Sequence, residues 1–198
     1  MILYITKENF DRYKLKMPGD MISPVSRVIA QKVIDTESGD RLLEWGGKLF
    51  YFDRRKCFQV VNFASKLTLI LVDVKMDDFA GVGNIIAHYL FDLYDYDPKM
   101  KKILELHFEK HPAMCFSKLH DRSAMATLNH TQSAYLDDGY RLYEYIENGI
   151  LQTRKLNKQI NRDWIFTEKI NGKTDYFVSA EKYEKLIKER YLSKIVTR

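Results

Sequence analysis

Cysteine is scarce in this sequence. Only Cys57 and Cys115 occur among 198 residues, which excludes a scaffold held together by several disulfide bonds. Each of the two lies in an apolar, strand-like stretch, which is typical of small buried side chains that stay reduced. We therefore expect two free thiols and a cytoplasmic protein.

Long apolar runs are missing as well. The apolar run from Leu69 to Val72 is typical in length, far shorter than the roughly 20 residues that cross a bilayer as a helix. The first ten residues, MILYITKENF, lack the basic segment and long apolar segment of a secretion signal. No internal repeat or low-complexity tract is present. These absences predict a protein that has no membrane partner.

What the chain does contain is typical of one globular domain. Of its 198 residues 45% are hydrophobic, and 13 Tyr and 11 Phe supply abundant core material. The net charge of +5 is uneven, because residues 150–198 hold 12 Lys or Arg against 6 Asp or Glu. A localised basic region is a weak pointer to an acidic partner, and a solvated basic surface explains it equally well.

The apolar pattern predicts an α+β fold. Residues 42–53, 57–63 and 67–74 are strand candidates joined by connections of hairpin length, which favours an antiparallel meander. We expect an antiparallel sheet of about five strands packed against helices over residues 1–150. Residues 151–198 would form a basic C-terminal appendage, a hairpin plus a helix, that packs on this core.

A dense charge cluster, DRRK, separates the first two of these strands. Arg54 and Arg55 in this cluster could grip a phosphate, because guanidinium groups match phosphate oxygens. Charged residues are also common at the solvated tip of a hairpin, which needs no ligand to explain them.

An acid-x-lysine pattern follows the third strand. Asp73 and Lys75 are two residues apart, so in a strand they would project from the same face, as the ligand and lysine of a metal-dependent nuclease do. Asp53 is the nearest upstream acid, and the order of elements resembles the PD-(D/E)xK nuclease core. The upstream acid of that core belongs on the second strand of the meander, however, and residues 57–63 contain none.

Two histidine-containing segments are weaker candidates. His107 and His111 are four apart on a predicted helix and could share a metal, but no third ligand is evident, and a partly exposed pair near a helix end explains them. The run SKLHDRSAMATLNH contains Ser117, His120, Asp121, Ser123 and His130, from which a catalytic triad can be imagined. A helix capped by Asp121 or Ser123 explains the same residues. No cofactor is expected.

The C-terminal segment holds a regular basic stripe. Arg154, Lys158 and Arg162 are spaced by four, so in a helix they would present one face to a row of phosphates. Gln152, Asn157 and Asn161 could add hydrogen bonds. A plain solvated helix face is the alternative.

Three motifs together resemble a known family. They are KLFYFDRRKCFQVVN, then DDF after an apolar strand, then FSKLHDRSAMATLN. Their order is similar to that in a family of uncharacterised bacterial domains, a domain of unknown function found in bacterial, plasmid and phage-like contexts. The resemblance covers roughly residues 1–162. It implies that residues 53–56 and 120–129 belong to a shared framework, and it supplies no reaction, cofactor or catalytic residue.

These observations favour a non-enzymatic interaction protein of mobile-element origin. Its partner would be nucleic acid or an acidic protein surface, bound by the basic C-terminal stripe and by Arg54 and Arg55. The first alternative is a divalent-metal nuclease that uses Asp53, Asp73 and Lys75. The second is an inhibitor or antitoxin module that binds another protein through exposed aromatic residues, for which Tyr89, Tyr94 and Tyr96 are candidates.

Overall fold

A five-stranded sheet organises the protein. The computed structural model describes residues 1–52, 54–133 and 140–195. The strands of the sheet are β1 (Ile2–Ile5), β2 (Glu44–Phe52), β3 (Arg55–Asn62), β4 (Thr68–Val72) and β5 (Cys115–Lys118), in the order β4-β3-β2-β1-β5. The predicted α+β class and the five-stranded sheet are confirmed.

Strand β1 makes this sheet mixed. β2, β3 and β4 form the predicted antiparallel meander, whereas β1 runs parallel to both β2 and β5. Long, helix-containing connections join β1 to β2 and β4 to β5, and long connections of this kind allow parallel pairing. The antiparallel description therefore holds only for β2, β3 and β4.

Helices cover the sheet on both sides. They are α1 (Lys7–Arg12), α2 (Pro24–Glu37), α3 (Val82–Leu93), α4 (Pro98–Lys110), α5 (Arg122–Gln132), α6 (Tyr140–Tyr143), α7 (Thr153–Asp163) and α8 (Ser179–Ile195), with 3₁₀ turns at Pro18–Asp20 and Asp77–Gly81. Within the described ranges, no helix combines the length and the apolar character needed to span a lipid bilayer.

Two small hairpins lie in the C-terminal part of the chain. β6 (Ile146–Glu147) pairs with β7 (Ile150–Leu151), and β8 (Ile165–Ile170) pairs with β9 (Lys173–Val178). Each turns at an Asn-Gly pair whose two residues have positive φ, as two-residue hairpin turns require. The predicted C-terminal hairpin and the helix that follows it are confirmed.

The main core lies on one face of the sheet. Leu3, Trp45 and Phe58 of the sheet pack there against side chains of α3, α4 and α8. Tyr183 and Ile187 of α8 are fully buried in this cluster. The division at residue 150 stays a prediction, although residues on both sides of it contribute to the same core.

Two asparagines of α7 complete the outer edge of the sheet. β4 is an edge strand, and Asn157 accepts a hydrogen bond from the backbone N–H of Ile70 at 2.7 Å and donates one to its carbonyl at 3.0 Å. Asn161 does the same for Thr68, at 2.8 and 2.6 Å. Because the residues are four apart on a helix, their amides reproduce the alternate pairing of a neighbouring strand. The edge is thereby closed to other chains.

We predict that Asn161→Leu lowers the free energy of unfolding by about 3 kcal/mol, because the buried N–H and C=O of Thr68 lose their partners. Urea denaturation at neutral pH measures the change. The matched control is Asn84→Leu on the exposed side of α3, for which we expect a change below about 0.5 kcal/mol. Equal effects of the two substitutions would show that the edge amides carry no special weight.

Candidate functional site

Helix α5 has one face against the sheet and one polar face. Asp121 caps it, accepting a hydrogen bond from the backbone N–H of Ala124 at 2.7 Å, as one of the two sequence interpretations predicts. Ala124 and Leu128 are buried against β2 and β3. Gly46 leaves room for the ring of Phe63 in this cluster, because a Cβ at position 46 would lie 3.0 Å from Phe63 Cε1. The other face carries a polar stripe, which consists of Ser123, Thr127, His130 and Thr131.

A cleft of about 790 Å³ separates this polar stripe from strand β8. Phe63 and Ala64, at the end of β3, contribute to its lining. Trp164 and residues 165–169 form the wall opposite α5. We call this space the α5–β8 cleft. It combines aromatic rings with hydroxyl groups and basic side chains, and the latter two can bond a polar ligand.

Lys66 is the central charged residue of the α5–β8 cleft. It lies in the turn between β3 and β4 with a φ of +62°, which is unusual for a residue other than glycine. Only 9% of it is exposed, and its Nζ donates a hydrogen bond to Ser123 Oγ at 2.9 Å. In the described part of the chain it forms no ion pair with a carboxylate. Burial lowers the pKa of Lys66, and the positive charge of Arg41 lowers that pKa further.

Local hydrogen bonds of Asn62 hold Lys66 in this place. Asn62 Oδ1 accepts hydrogen bonds from the backbone N–H and the hydroxyl of Ser65, and Asn62 Nδ2 donates to the carbonyl of Leu42. The backbone N–H of Lys66 donates to the carbonyl of Asn62 at 3.0 Å. A rigid turn of this kind supports a positive φ that would otherwise relax.

Arg41 lies at the rim of the cleft and is already paired. It forms an ion pair with Asp121 at 2.5 Å, and its guanidinium lies 4.6 Å from the ring centroid of Phe63. Burial alone would raise the pKa of Asp121, but the hydrogen bond from Ala124 and the nearby Arg41 lower it below its usual value. Arg41 therefore adds less free positive charge to the cleft than Lys66 does.

Thr131 gives the cleft a buried hydroxyl without a partner. The residue is 1% exposed and lines the cleft, and among the described residues its Oγ1 has no hydrogen-bond partner. Buried polar groups in folded proteins are nearly always hydrogen-bonded, so a ligand or a water molecule in the cleft could satisfy this hydroxyl.

The basic stripe of α7 does line one face of a helix, but that face meets acidic groups of the same chain. Arg154 Nε lies 2.7 Å from Asp92 Oδ2, and Lys158 Nζ lies 2.8 Å from Asp95 Oδ2. Arg162 donates a hydrogen bond to the carbonyl at position 93 and lies over the ring of Tyr96. Asn157 and Asn161, expected to bond a partner, are buried on β4. A partner-binding role for the stripe stays a prediction.

The two arginines of the DRRK motif have different positions. Arg54 lies in the β2–β3 turn with a φ of +63° and is exposed. Arg55 begins β3, and its Nη2 donates a hydrogen bond to the carbonyl of Gly149 at 2.8 Å. The Arg55 side chain is thus bonded to the β6–β7 turn. A phosphate clamp formed by both arginines stays a prediction.

The acid-x-lysine pattern lies outside strand β4. The strand ends at Val72, and Asp73 follows it with a φ of +56°, so the predicted strand extended two residues too far. Asp73 and Lys75 are both exposed. Asp53, the third residue of the nuclease alternative, lies outside the described residues. Among those that are described, no group of three or more His, Cys, Asp or Glu side chains could hold a metal ion.

His107 and His111 share a face of α4, but the first is not exposed. His107 is fully buried, and its Nδ1 lies 3.1 Å from the hydroxyl of Tyr191. His111 Nδ1 lies 2.8 Å from Glu37 Oε1. The interpretation of a partly exposed pair was therefore wrong for His107. The helix carries it on the face that packs against α8, because Met100, Ile103 and Leu104 lie on that same face.

The tyrosines proposed as a protein-binding surface do not form one together. Tyr94 is fully buried, and its hydroxyl donates a hydrogen bond to the carbonyl of Ala180. Tyr89 is partly buried and donates to Thr153 Oγ1 at 2.8 Å, whereas Tyr96 is exposed. Only Tyr96 therefore offers much surface to a partner.

One family model matches most of the chain. The model of a family described as a domain of unknown function, DUF6933, matches residues 2–182. The chain belongs to the DUF6933 family. The resemblance expected from the motif order is confirmed, and the DUF6933 match continues beyond residue 162 through the β8–β9 hairpin. Both walls of the α5–β8 cleft thus lie within the family domain. No curated protein gave a significant match.

Sequence reasoning missed Lys66, Thr131 and Trp164 as site residues. No local pattern marks Lys66, because its significance arises from contacts with residues 57 positions away along the chain. Thr131 had one available signal. It continues the spacing of Ser123 and Thr127 along one face of α5, and this helix was predicted from Asp121.

We predict that His107 makes the protein sensitive to acid. Burial lowers its pKa to about 3 from the usual 6.5, so the folded state stays unprotonated while the unfolded state takes up a proton below pH 6.5. The stabilisation is complete above pH 6.5 and is lost as the pH falls toward 3. Between pH 7 and pH 5 this group should remove about 2 kcal/mol from the free energy of unfolding.

Urea denaturation of wild type and of His107→Phe at both pH values measures this loss. The variant should lose about 2 kcal/mol less than wild type over the interval. His120→Gln, which replaces an exposed histidine, is the control and should follow wild type. The same pH dependence in His107→Phe and wild type would contradict the assignment.

Proposed function

We propose that this protein is a non-enzymatic interaction protein that binds an acidic partner in the α5–β8 cleft. The observation that carries the proposal is the buried ammonium group of Lys66, which opens on the cleft and lacks a carboxylate partner in the described part of the chain. Removing a charge from water is costly unless an opposite charge accompanies it. A carboxylate of the partner would supply that charge.

The hydroxyl groups of the cleft support an oxygen-rich ligand. Ser123 Oγ already accepts a hydrogen bond from Lys66 and can donate one to a carboxylate oxygen. Thr131 Oγ1 is buried and unbonded at the same wall of the cleft. A carboxylate at Lys66 Nζ and Ser123 Oγ would receive charge-assisted hydrogen bonds, which are stronger than those between neutral groups. Thr131 lies two turns further along α5, about 12 Å away, and would bond a second polar group of the same ligand.

An acidic protein suits this arrangement better than nucleic acid does. Nucleic-acid binding depends on several exposed cations that follow a row of phosphates. The row with that spacing, on α7, already pairs with Asp92 and Asp95. The C-terminal segment contributes to the cleft instead through Trp164 and the exposed Lys169.

We also propose that the protein acts in the cytoplasm. Both cysteines are free and buried, as the sequence predicts. Burial raises the pKa of the Cys57 thiol to about 12, and the charge of Asp73 acts in the same direction. A thiol of this kind is unreactive and structural, which fits a reducing compartment without requiring one.

Titration of ¹⁵N-labelled protein with poly-glutamate tests the proposed function. We expect amide shifts centred on residues 123–131 and 164–169, with an affinity that falls steeply as salt is added. Lys66→Met should reduce the affinity at least about tenfold, because the ammonium group is lost while the aliphatic part of the side chain is kept.

The matched control is Lys158→Met, a similar change on α7 outside the cleft, which should leave poly-glutamate binding within about twofold of wild type. A single-stranded oligothymidylate of twelve nucleotides serves as the competing ligand. Tighter binding of the oligonucleotide, with shifts centred on α7, would overturn the proposal in favour of nucleic acid. Shifts that avoid the cleft altogether would contradict it as well.

The Ser123–Lys66 pair favours a second candidate function, acyl transfer. A lysine with a lowered pKa can take the hydroxyl proton of a serine while Oγ attacks a carbonyl carbon and the leaving group departs with that proton. The 2.9 Å separation of Nζ and Oγ meets the distance condition for this step.

A fluorophosphonate probe separates this candidate from simple binding. If Ser123 is a nucleophile, the probe should label wild type stoichiometrically, and Ser123→Ala and Lys66→Met should remain unlabelled. Ser117→Ala, in strand β5, is the control and should label as wild type does. Wild type that stays unlabelled would rule out the nucleophile and leave the binding function standing.

A further inference from the structure

Strand β8 turns its open edge toward the α5–β8 cleft. The cleft is lined by five consecutive residues of β8, 165–169, and by none of β9. If a face of the hairpin bordered the cleft, alternate residues of both strands would line it, because side chains alternate across a strand. A continuous run from one strand alone indicates that the edge of that strand borders the cleft.

The backbone groups at this edge can be assigned from the hairpin register. Ile170 and Lys173 flank a two-residue turn at positions 171 and 172, so this pair is hydrogen-bonded. The next pair along the hairpin is not hydrogen-bonded, and the two kinds of pair then alternate. Lys169, Thr167 and Ile165 therefore direct their N–H and C=O groups away from β9 and toward the cleft. None of the three forms a backbone hydrogen bond with another described element.

An exposed strand edge beside a helix is a recognised peptide-binding arrangement. An extended peptide can add a strand to such an edge, where main-chain hydrogen bonds give affinity and side-chain contacts give specificity. Here α5 supplies the second wall, with the hydroxyl groups of Ser123 and Thr127. The five residues of β8 that face the cleft span about 17 Å, which matches a peptide strand of equal length.

The charges select the kind of peptide. Lys66 and Lys169 line the cleft and form no ion pair within the described residues, whereas Glu168 is paired with Lys182 at 2.5 Å. The unpaired charge that a bound chain would meet is therefore positive. The β4 edge of the five-stranded sheet is covered by α7, whereas the β8 edge of the two-stranded β8–β9 sheet borders the cleft, so these two strand edges differ in availability.

We propose that an extended acidic segment of a partner protein binds as a third strand on the open edge of β8, with a carboxylate at Lys66. This inference rests on the proposed function and names the form of its partner. Peptide amides bond Ile165, Thr167 and Lys169, and the carboxylate, from a side chain or from the C-terminus of the partner, bonds Lys66 and Ser123.

Selection from a phage library of random twelve-residue peptides provides the probe. Wild-type protein should enrich peptides that contain Asp or Glu, or peptides that bind only when their C-terminal carboxylate is free. Thr167→Pro removes one cleft-facing N–H without removing a hydrogen bond of the hairpin, and it should weaken the selected peptides about tenfold. Thr174→Pro makes the same substitution at an exposed, non-bonded position of β9 and should stay within about twofold of wild type.

A measurement on unaltered protein keeps the test independent of the folding of either variant. N-methylation of successive amides along a selected peptide should abolish binding at every second position, because alternate amides of an added strand face β8. Uniform tolerance of N-methylation, or peptides that bind Thr167→Pro as tightly as wild type, would overturn strand addition.

The remaining outcomes separate the two proposals. Enriched peptides that need Lys66 but tolerate both Thr167→Pro and N-methylation would overturn strand addition and leave the acidic-partner function intact. No enrichment at all would also overturn strand addition, and the poly-glutamate titration then decides the proposed function by itself.

Discussion

The hydrogen bonds between the α7 asparagines and strand β4 are the contact on which the rest of the structure depends. Asn157 and Asn161 satisfy the outward-facing backbone groups of Ile70 and Thr68, which would otherwise form an exposed edge. Asn161 Oδ1 also accepts a hydrogen bond from Ser179 at the start of α8. The sheet edge, α7 and the final helix are thereby fixed to one another, so the C-terminal segment is part of the fold.

This anchoring places the hairpin that follows α7. Trp164 and β8 begin where α7 ends, and their position beside α5 creates the cleft. Two ion pairs, Arg154 with Asp92 and Lys158 with Asp95, also hold α7 against the C-terminal end of α3 and so help to place the hairpin. One strand edge is thus closed from within the chain while another is left open beside a buried lysine. This asymmetry supports the proposal that the cleft binds a strand of a partner.

The sequence predicts those features that depend on local spacing. The meander, the C-terminal hairpin and the α5 cap at Asp121 follow from patterns a few residues long, and the family resemblance expected from the motif order is confirmed. The sequence predicts poorly those features that depend on contacts between residues far apart along the chain. In the sequence, the basic residues and the asparagines of α7 both resemble groups that could bind a partner. In the structure, two of the basic residues pair with Asp92 and Asp95, and the asparagines bond the backbone of β4.

Hydrogen–deuterium exchange of backbone amides, followed by NMR, tests the central claim most directly. If the α7 asparagines close one edge and leave the other open, the amides of Thr68 and Ile70 should exchange as slowly as those of the central strand β3. The amides of Thr167 and Lys169 should exchange at rates close to those of an unfolded chain. Fast exchange at Thr68 and Ile70, or strong protection at Thr167 and Lys169, would contradict the account.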